Sequence, residues 1–191
     1  MKLIKLPLVI EALSQVTGED YESTIKALLH ARFNGFRVHC CGNGGSGSTA
    51  SHFSADLQNL GFDSVCLNDS LPRVSALTND KGWGRVYTEQ LSQVIPEDVL
   101  VLFTVHGSEG AESAGPWSQN LVEAYKLCVS KGVYVIVFSG NGGGYFRNRD
   151  DVLLVPVESG DVYVVEGVHS VLAHMVCDEL KRRITDAKPC S

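Results

Sequence analysis

The sequence has no excess of positive charge, no long apolar run and no paired-cysteine motif, and each absence removes a class of function. Lys and Arg number 16 against 22 Asp and Glu, a formal net charge of −6. Phosphate neutralisation needs a basic face, so nucleic acid is not an expected partner. No apolar stretch approaches the ~20 residues that cross a bilayer, so no membrane partner is expected either. Residues 1–7 carry Lys2 and Lys5 but are soon followed by Glu11, Glu19 and Asp20, with no apolar signal core. Export is therefore not expected. None of the six cysteines, Cys40, Cys41, Cys66, Cys128, Cys177 and Cys190, forms a C-x-x-C pair, and most lie in apolar runs. Buried free thiols in a reducing compartment fit that pattern better than a disulfide framework, and the cytoplasm is the expected location.

What is present is a globular composition, 44% hydrophobic and 20% charged over 191 residues, enough for one domain or one domain with a helical appendage. Residues 8–33 read as helices broken near Thr17-Gly18-Glu19-Asp20, and Asn34-Gly35 stops the second of them. Strands follow at 36–41, more weakly at 64–67, then at 98–104, 132–138 and 152–157, alternating with helices near 118–130 and 164–184. Strands apolar on both faces that alternate with helices predict a parallel sheet covered on both sides, an α/β domain. Residues 1–34 would form an N-terminal helical segment and 35–191 the α/β unit.

Gly42-Asn43-Gly44-Gly45-Ser46-Gly47-Ser48 follows the first strand and opens a helix. Glycines allow a sharp turn, and the unpaired N–H groups of a helix's first turn suit an anion, so Asn43, Gly44, Gly45 and Ser46 are candidate phosphate ligands. The segment is neither a G-x-G-x-x-G dinucleotide fingerprint nor a P-loop, which would need Gly-Lys-Ser/Thr.

Several motifs in order carry a resemblance: Cys41-Gly42-Asn43-Gly44-Gly45-Ser46, then Ala50-Ser51-His52-Phe53-Ser54-Ala55-Asp56-Leu57, then Ser75-Ala76-Leu77-Thr78-Asn79-Asp80-Lys81-Gly82-Trp83, and Val168-His169-Ser170-Val171-Leu172-Ala173-His174. Over about residues 20–184 the chain resembles the sugar isomerase (SIS) domain of phosphoheptose isomerases. The resemblance implies a five-stranded parallel sheet flanked by helices, and a homotetramer with sites between subunits. The short N-terminal helical region leaves a dimer open as well. It implies conversion of sedoheptulose 7-phosphate to D-glycero-D-manno-heptose 7-phosphate, an aldose–ketose isomerisation through an enediol. It also implies a zinc ion, whose ligand positions become His52, Asp56, Glu166 and His174; the family's Glu and Gln are here Asp56 and Glu166. Asp80 matches a family position near the substrate.

Spacing agrees with that ligand set in part. His52 and Asp56, four apart, share one face of a helix. Glu166 and His174, eight apart, differ by ~12 Å of helical rise, and Glu166 and His169 are the closer pair by spacing alone. Ordinary buried or capping histidines with solvated acids are the alternative. With the metal in place, Asp56 would move the carbon-bound proton and His174 the proton on oxygen.

The second family phosphate loop is altered. Thr104-Val105-His106-Gly107-Ser108-Glu109 replaces a Ser/Thr-rich turn, and Ser118-Gln119-Asn120 matches the helix start after an insertion. Thr104 and Ser118 remain candidate phosphate ligands, with Ser118 also a helix cap, while Glu109 and Glu112 would oppose a phosphate. Either the insertion is a surface excursion or the substrate has changed. Trp117 could wall a sugar or simply pack. The loop 139–144 takes a supporting role, and Arg147 and Arg149 could supply a counter-charge or be solvated. A non-catalytic sugar-phosphate-binding or protein-bridging module is the alternative function, and an isomerase for another sugar a third.

Overall fold

The computed structural model describes residues 5–108 and 118–187. Eleven regular elements follow in chain order: α1 (Leu6–Ser14), α2 (Gly18–Asn34), β1 (Val38–Gly42), α3 (Gly45–Asn59), β2 (Ser64–Cys66), α4 (Leu71–Lys81), β3 (Val99–Thr104), α5 (Gln119–Ser130), β4 (Tyr134–Ser139), β5 (Leu153–Pro156) and α6 (Val162–Asp186). Two 3₁₀ turns, Trp83–Arg85 and Asn141–Phe146, join them.

All strand pairings are parallel, in the order β2-β1-β3-β4-β5. The five-stranded parallel sheet flanked by helices is the predicted α/β fold. Because strands alternate their side chains, each face of the sheet feeds a different core. Cys40, Val101, Phe103, Ile136 and Phe138 pack beneath α2, α3 and α6. Cys41, Leu100, Leu102, Val135 and Val137 pack on the other face, against α5 and the segment around Tyr87 and Leu91. Ala12, Ile25, Leu28 and Ala31 belong to the first of these cores, so α1 and α2 are built into its helical layer.

Local chemistry sets the helix ends. The Thr17 hydroxyl accepts the Asp20 N–H at 3.2 Å, capping α2, and Gly35 closes it at φ 75. Asp161 caps α6 by accepting N–H groups from Tyr163 and Val164. Of the described cysteines, Cys40, Cys41, Cys66 and Cys128 are buried free thiols and Cys177 is half-buried. Cys190 lies outside the described residues.

Strand order reverses between β1 and β3, since the chain leaves β1 for β2 on one side and returns to β3 on the other. In a parallel sheet that split opens a crevice beyond the carboxyl ends of the strands. The glycine loop after β1 stands at that split.

Candidate active site

The loop after β1 is held by side chains from three other segments. The amide of Asn68 brackets Gly42: its Oδ1 accepts the Gly42 N–H at 3.2 Å, and its Nδ2 donates to the Gly42 carbonyl at 2.8 Å. The Tyr87 hydroxyl donates to the same carbonyl at 2.7 Å and lies 3.2 Å from Asn43 Oδ1. Asn43 and the buried Asn120 at the start of α5 exchange amide hydrogen bonds at 2.8 and 2.9 Å. Gly44 then turns at φ 57 and ψ −127, a conformation open to glycine, and α3 begins at Gly45.

Two cavities flank this helix start. One, of about 480 Å³, lies over the β1/β3 split and is lined by Asn43, Gly44, Ser46, Thr104, His106 and Ser118, among others. Five predicted phosphate ligands thus meet in one place. Ser118 precedes α5 at φ 53, a left-handed backbone rather than the extended one of a capping serine, and makes no side-chain cap bond. The expected capping role is therefore corrected, while its place on the cavity wall stands. Asp80 sits in the last turn of α4, exposed, with Oδ1 accepting from Asn79 Nδ2 at 2.9 Å; it lines neither cavity. Glu109, Glu112 and Trp117 lie outside the described residues.

The other cavity, of about 460 Å³, lies between α3 and α6 and is lined by Gly45, His52, Asp56, Glu166 and His174 with their neighbours. His52 Nε2 stands 3.6 Å and His174 Nε2 3.9 Å from Asp56 Oδ2. The two imidazoles face each other edge to face with centroids 5.0 Å apart. One ligand atom from each of the three residues falls within 4.8 Å of the others, the one such cluster among the described residues. Helical geometry explains it: the i, i+4 pair on α3 meets His174 of α6 where the two helices pack, joined by Thr49 Oγ1 and Ser170 Oγ at 3.3 Å. His174 Nδ1 is 2.8 Å from the Ser170 carbonyl, which can only accept. The ring proton therefore resides on Nδ1 and the Nε2 lone pair points to Asp56, the tautomer a metal ligand needs. Two imidazole nitrogens and a carboxylate oxygen suit zinc, with a fourth position left for water or substrate.

Glu166, the fourth expected ligand, is placed apart from this cluster. Its carboxylate lies against Gly45, where a Cβ on residue 45 would stand 2.5 Å from Oε2. His169, the nearer partner by spacing, faces the sheet instead. It is buried edge-on against the stacked Phe103 and Phe138 rings, with both ring nitrogens unpartnered, and burial pushes its pKa down to about 3. His39, likewise buried, sits 3.6 Å from Asp98 at the amino-terminal end of the central strands β1 and β3. Arg147 pairs with Glu158 and donates to the Gly142 carbonyl, and Arg149 lies 4.1 Å over the Tyr145 ring. Both arginines are engaged away from the two cavities.

Sequence reasoning missed the residues that brace the loop. Asn68 and Tyr87 lie outside the glycine motif, and only the fold brings them to it; an isolated Asn and Tyr carry no spacing signal.

No family model matches the chain. It is 37% identical over 148 residues to lincomycin biosynthesis protein LmbN of Streptomyces lincolnensis, 72% of this chain and 53% of that protein. The chain thus spans about half the length of that relative. It is 26% identical over 175 residues to the phosphoheptose isomerase of Helicobacter pylori strain Shi470, covering 88% of this chain and 86% of the other. Among solved structures, phosphoheptose isomerase GmhA from Neisseria gonorrhoeae superposes with a TM-score of 0.84 at 25% identity, over 94% of this chain and 96% of that one.

Proposed function

The chain belongs to the SIS-domain, phosphoheptose-isomerase-like family, and from that premise we propose that it is a sugar-phosphate aldose–ketose isomerase acting on sedoheptulose 7-phosphate or a related ketose phosphate. The observation that carries the reading is the His52–Asp56–His174 cluster, formed where α6 brings His174 to two residues about two and three turns along α3, the helix whose first turn opens the loop cavity. One helix would then serve both ends of a single substrate. The phosphate would take neutral donors from Asn43 to Ser46, Thr104 and Ser118, and the carbonyl end would reach the cluster.

His52, Asp56 and His174 would hold a zinc ion, with Glu166 close by in the same cavity. Zinc there would supply Lewis-acid polarisation of the substrate carbonyl. Asp56, through its second carboxylate oxygen, takes the proton from C1 of the ketose, and that C–H electron pair becomes the C1=C2 bond of the enediol. A solvent-exchangeable proton goes to the C2 oxygen and one leaves the C1 hydroxyl; His174, whose Nε2 would hold the ion and whose Nδ1 faces the Ser170 carbonyl, acts on this oxygen side by orienting the two oxygens at the ion. Asp56 then returns its proton to C2 as C1 becomes the aldehyde. One proton has moved from C1 to C2 and one from O1 to O2, with no net redox change.

The LmbN similarity supports a second reading, in which the same chemistry serves a different sugar phosphate of a specialised-metabolite pathway. Higher identity to that protein than to the H. pylori isomerase is the reason to hold it. We further propose a cytoplasmic homo-oligomer, a tetramer or a dimer, with α1 and α2 of the 1–34 segment making subunit contacts. Exposed Leu6, Leu8 and Ile10 on α1 support that assignment. No described helix is long and apolar enough to cross a membrane.

The test is incubation of the purified protein with Zn²⁺ and sedoheptulose 7-phosphate, following aldose formation. Turnover of this ketose supports the first reading. Turnover confined to other ketose phosphates favours the second, and binding without turnover of any would leave a sugar-phosphate-binding module.

A further inference from the structure

The cavity over the β1/β3 split is walled by more carbon than a phosphate needs. Phe103, Val105, Leu121 and Val162 line it, and Trp83 forms its rim. No lysine or arginine is among its described lining residues. Part of its polar lining is already engaged: the Asn43 amide is paired with Asn120, and Thr104 Oγ1 accepts the Ser108 N–H at 3.2 Å. Discrimination among phosphorylated ligands must then come largely from shape and from the apolar wall.

Trp83 is suited to that task. Trp83 lines the cavity and keeps 37% of its surface open. Its orientation is nevertheless set. Gly82 turns the chain at φ 83, the 3₁₀ turn begins at Trp83, and the indole leans on the buried Tyr87 ring at 6.4 Å and 57°. Tyr87 is itself pinned by hydrogen bonds to Gly42, Asn43 and Asn68. The indole is therefore a preorganised plate mounted on the same residue that braces the phosphate loop.

We propose that Trp83 is a specificity-determining residue whose indole face packs against the C–H face of the carbon chain next to the phosphate, selecting sugar phosphates over smaller phosphate anions. The assignment rests on the isomerase reading for the class of ligand, though not on turnover itself. An aromatic platform of this kind favours ligands with contiguous C–H surface beyond the phosphate, and leaves inorganic phosphate to the loop alone.

The experiment uses the full-length zinc-loaded protein. The chain has two tryptophans, so Trp117→Phe leaves Trp83 as the single emitter. Titration with sedoheptulose 7-phosphate should shift or quench its emission, while inorganic phosphate should leave it nearly unchanged. Trp83→Ala should weaken sugar-phosphate binding about tenfold, with inorganic phosphate and Zn²⁺ affinities held, and Trp83→Phe should recover most of the loss. Three results would overturn the proposal: no emission response to the sugar phosphate, unchanged sugar-phosphate affinity in Trp83→Ala, or equal losses for sugar phosphate and inorganic phosphate. The last would mean that the ring merely props Tyr87. If Trp83→Ala fails to fold, the single-tryptophan titration and Trp83→Phe still decide. A wild-type protein that binds the sugar phosphate without converting it defeats the isomerase reading and leaves this assignment standing.

Discussion

The carboxylate of Glu166 on α6 rests against Gly45, the first residue of α3, with the space of a missing Cβ taken by its oxygens. Glu166 thus lines the cavity beside the start of α3 but stays outside the three residues whose ligand atoms converge. Glu166→Gln should therefore keep its metal after dialysis, with the melting temperature lowered by no more than a few degrees. His52→Ala and His174→Ala should lose the metal. Metal analysis alongside a thermal melt checks this, and a Glu166→Gln protein stripped of metal would restore Glu166 as an obligatory ligand.

Loss of Asp56 and His174 should act on chemistry as well as on metal retention. Asp56→Asn keeps the shape of the side chain but removes the base, so turnover should fall by about 10²–10⁴ even with Zn²⁺ in excess. His174→Ala removes a ligand and the group that orients the ion toward the substrate oxygens, so added Zn²⁺ should not rescue it. Chelation of the wild-type protein should abolish turnover, and Zn²⁺ should restore it. Undiminished rates in both variants would refute the assignment.

The sheet and the His52–Asp56–His174 cluster are readable for different reasons. Apolar strands such as 98–104 and 132–138 declare themselves because both of their faces are buried, and β3 and β4 appear within two residues of the predicted bounds. His52 and Asp56 were legible as a pair because four residues make one helical turn. His174 entered through the resemblance, since no local spacing links α3 to α6. The α4 helix carries a Pro at its first turn and no fully buried residue, only Val74 and Leu77 packing partly buried against the core. Glu166 and His169 divided contrary to spacing: three residues apart on α6, one reaches the helix start at Gly45 and the other turns into the aromatic core. Which face of a long helix meets which layer is tertiary information.

Tyr87 braces Gly42 and Asn43 through one hydroxyl. Tyr87→Phe removes that group and leaves the ring, so the buried packing with Trp83 is retained. The Gly42 carbonyl keeps its bond from Asn68, which limits the destabilisation to about 1 kcal/mol. The looser loop should bind inorganic phosphate several-fold more weakly while Zn²⁺ affinity is unchanged. Calorimetric titration with each ion separates the two. Equal phosphate affinity would show that the loop is held sufficiently by Asn68 and Asn120.

His169 makes the fold sensitive to acid. Its ring is buried against the stacked Phe103 and Phe138 pair, and burial pushes its pKa from 6.5 to about 3. The folded state thus disfavours the proton that the unfolded chain accepts below about pH 6.5. Stability contributed by the neutral ring is full above the unfolded pKa and declines as pH falls toward the folded value. The loss approaches about 1.4 kcal/mol per pH unit within that window. His39, also held below its ordinary value chiefly by burial and only partly relieved by Asp98, adds in the same direction. Carboxylates titrate over the lower part of this range too, so the informative quantity is the difference between wild type and His169→Leu. Urea unfolding at pH 7.5 and again near pH 4.5 should show the variant losing on the order of 2 kcal/mol less than wild type over that interval. Parallel pH profiles for the two proteins would mean that His169 is protonated in the folded core, with a counter-charge nearby, and would contradict the burial seen against the two phenylalanines.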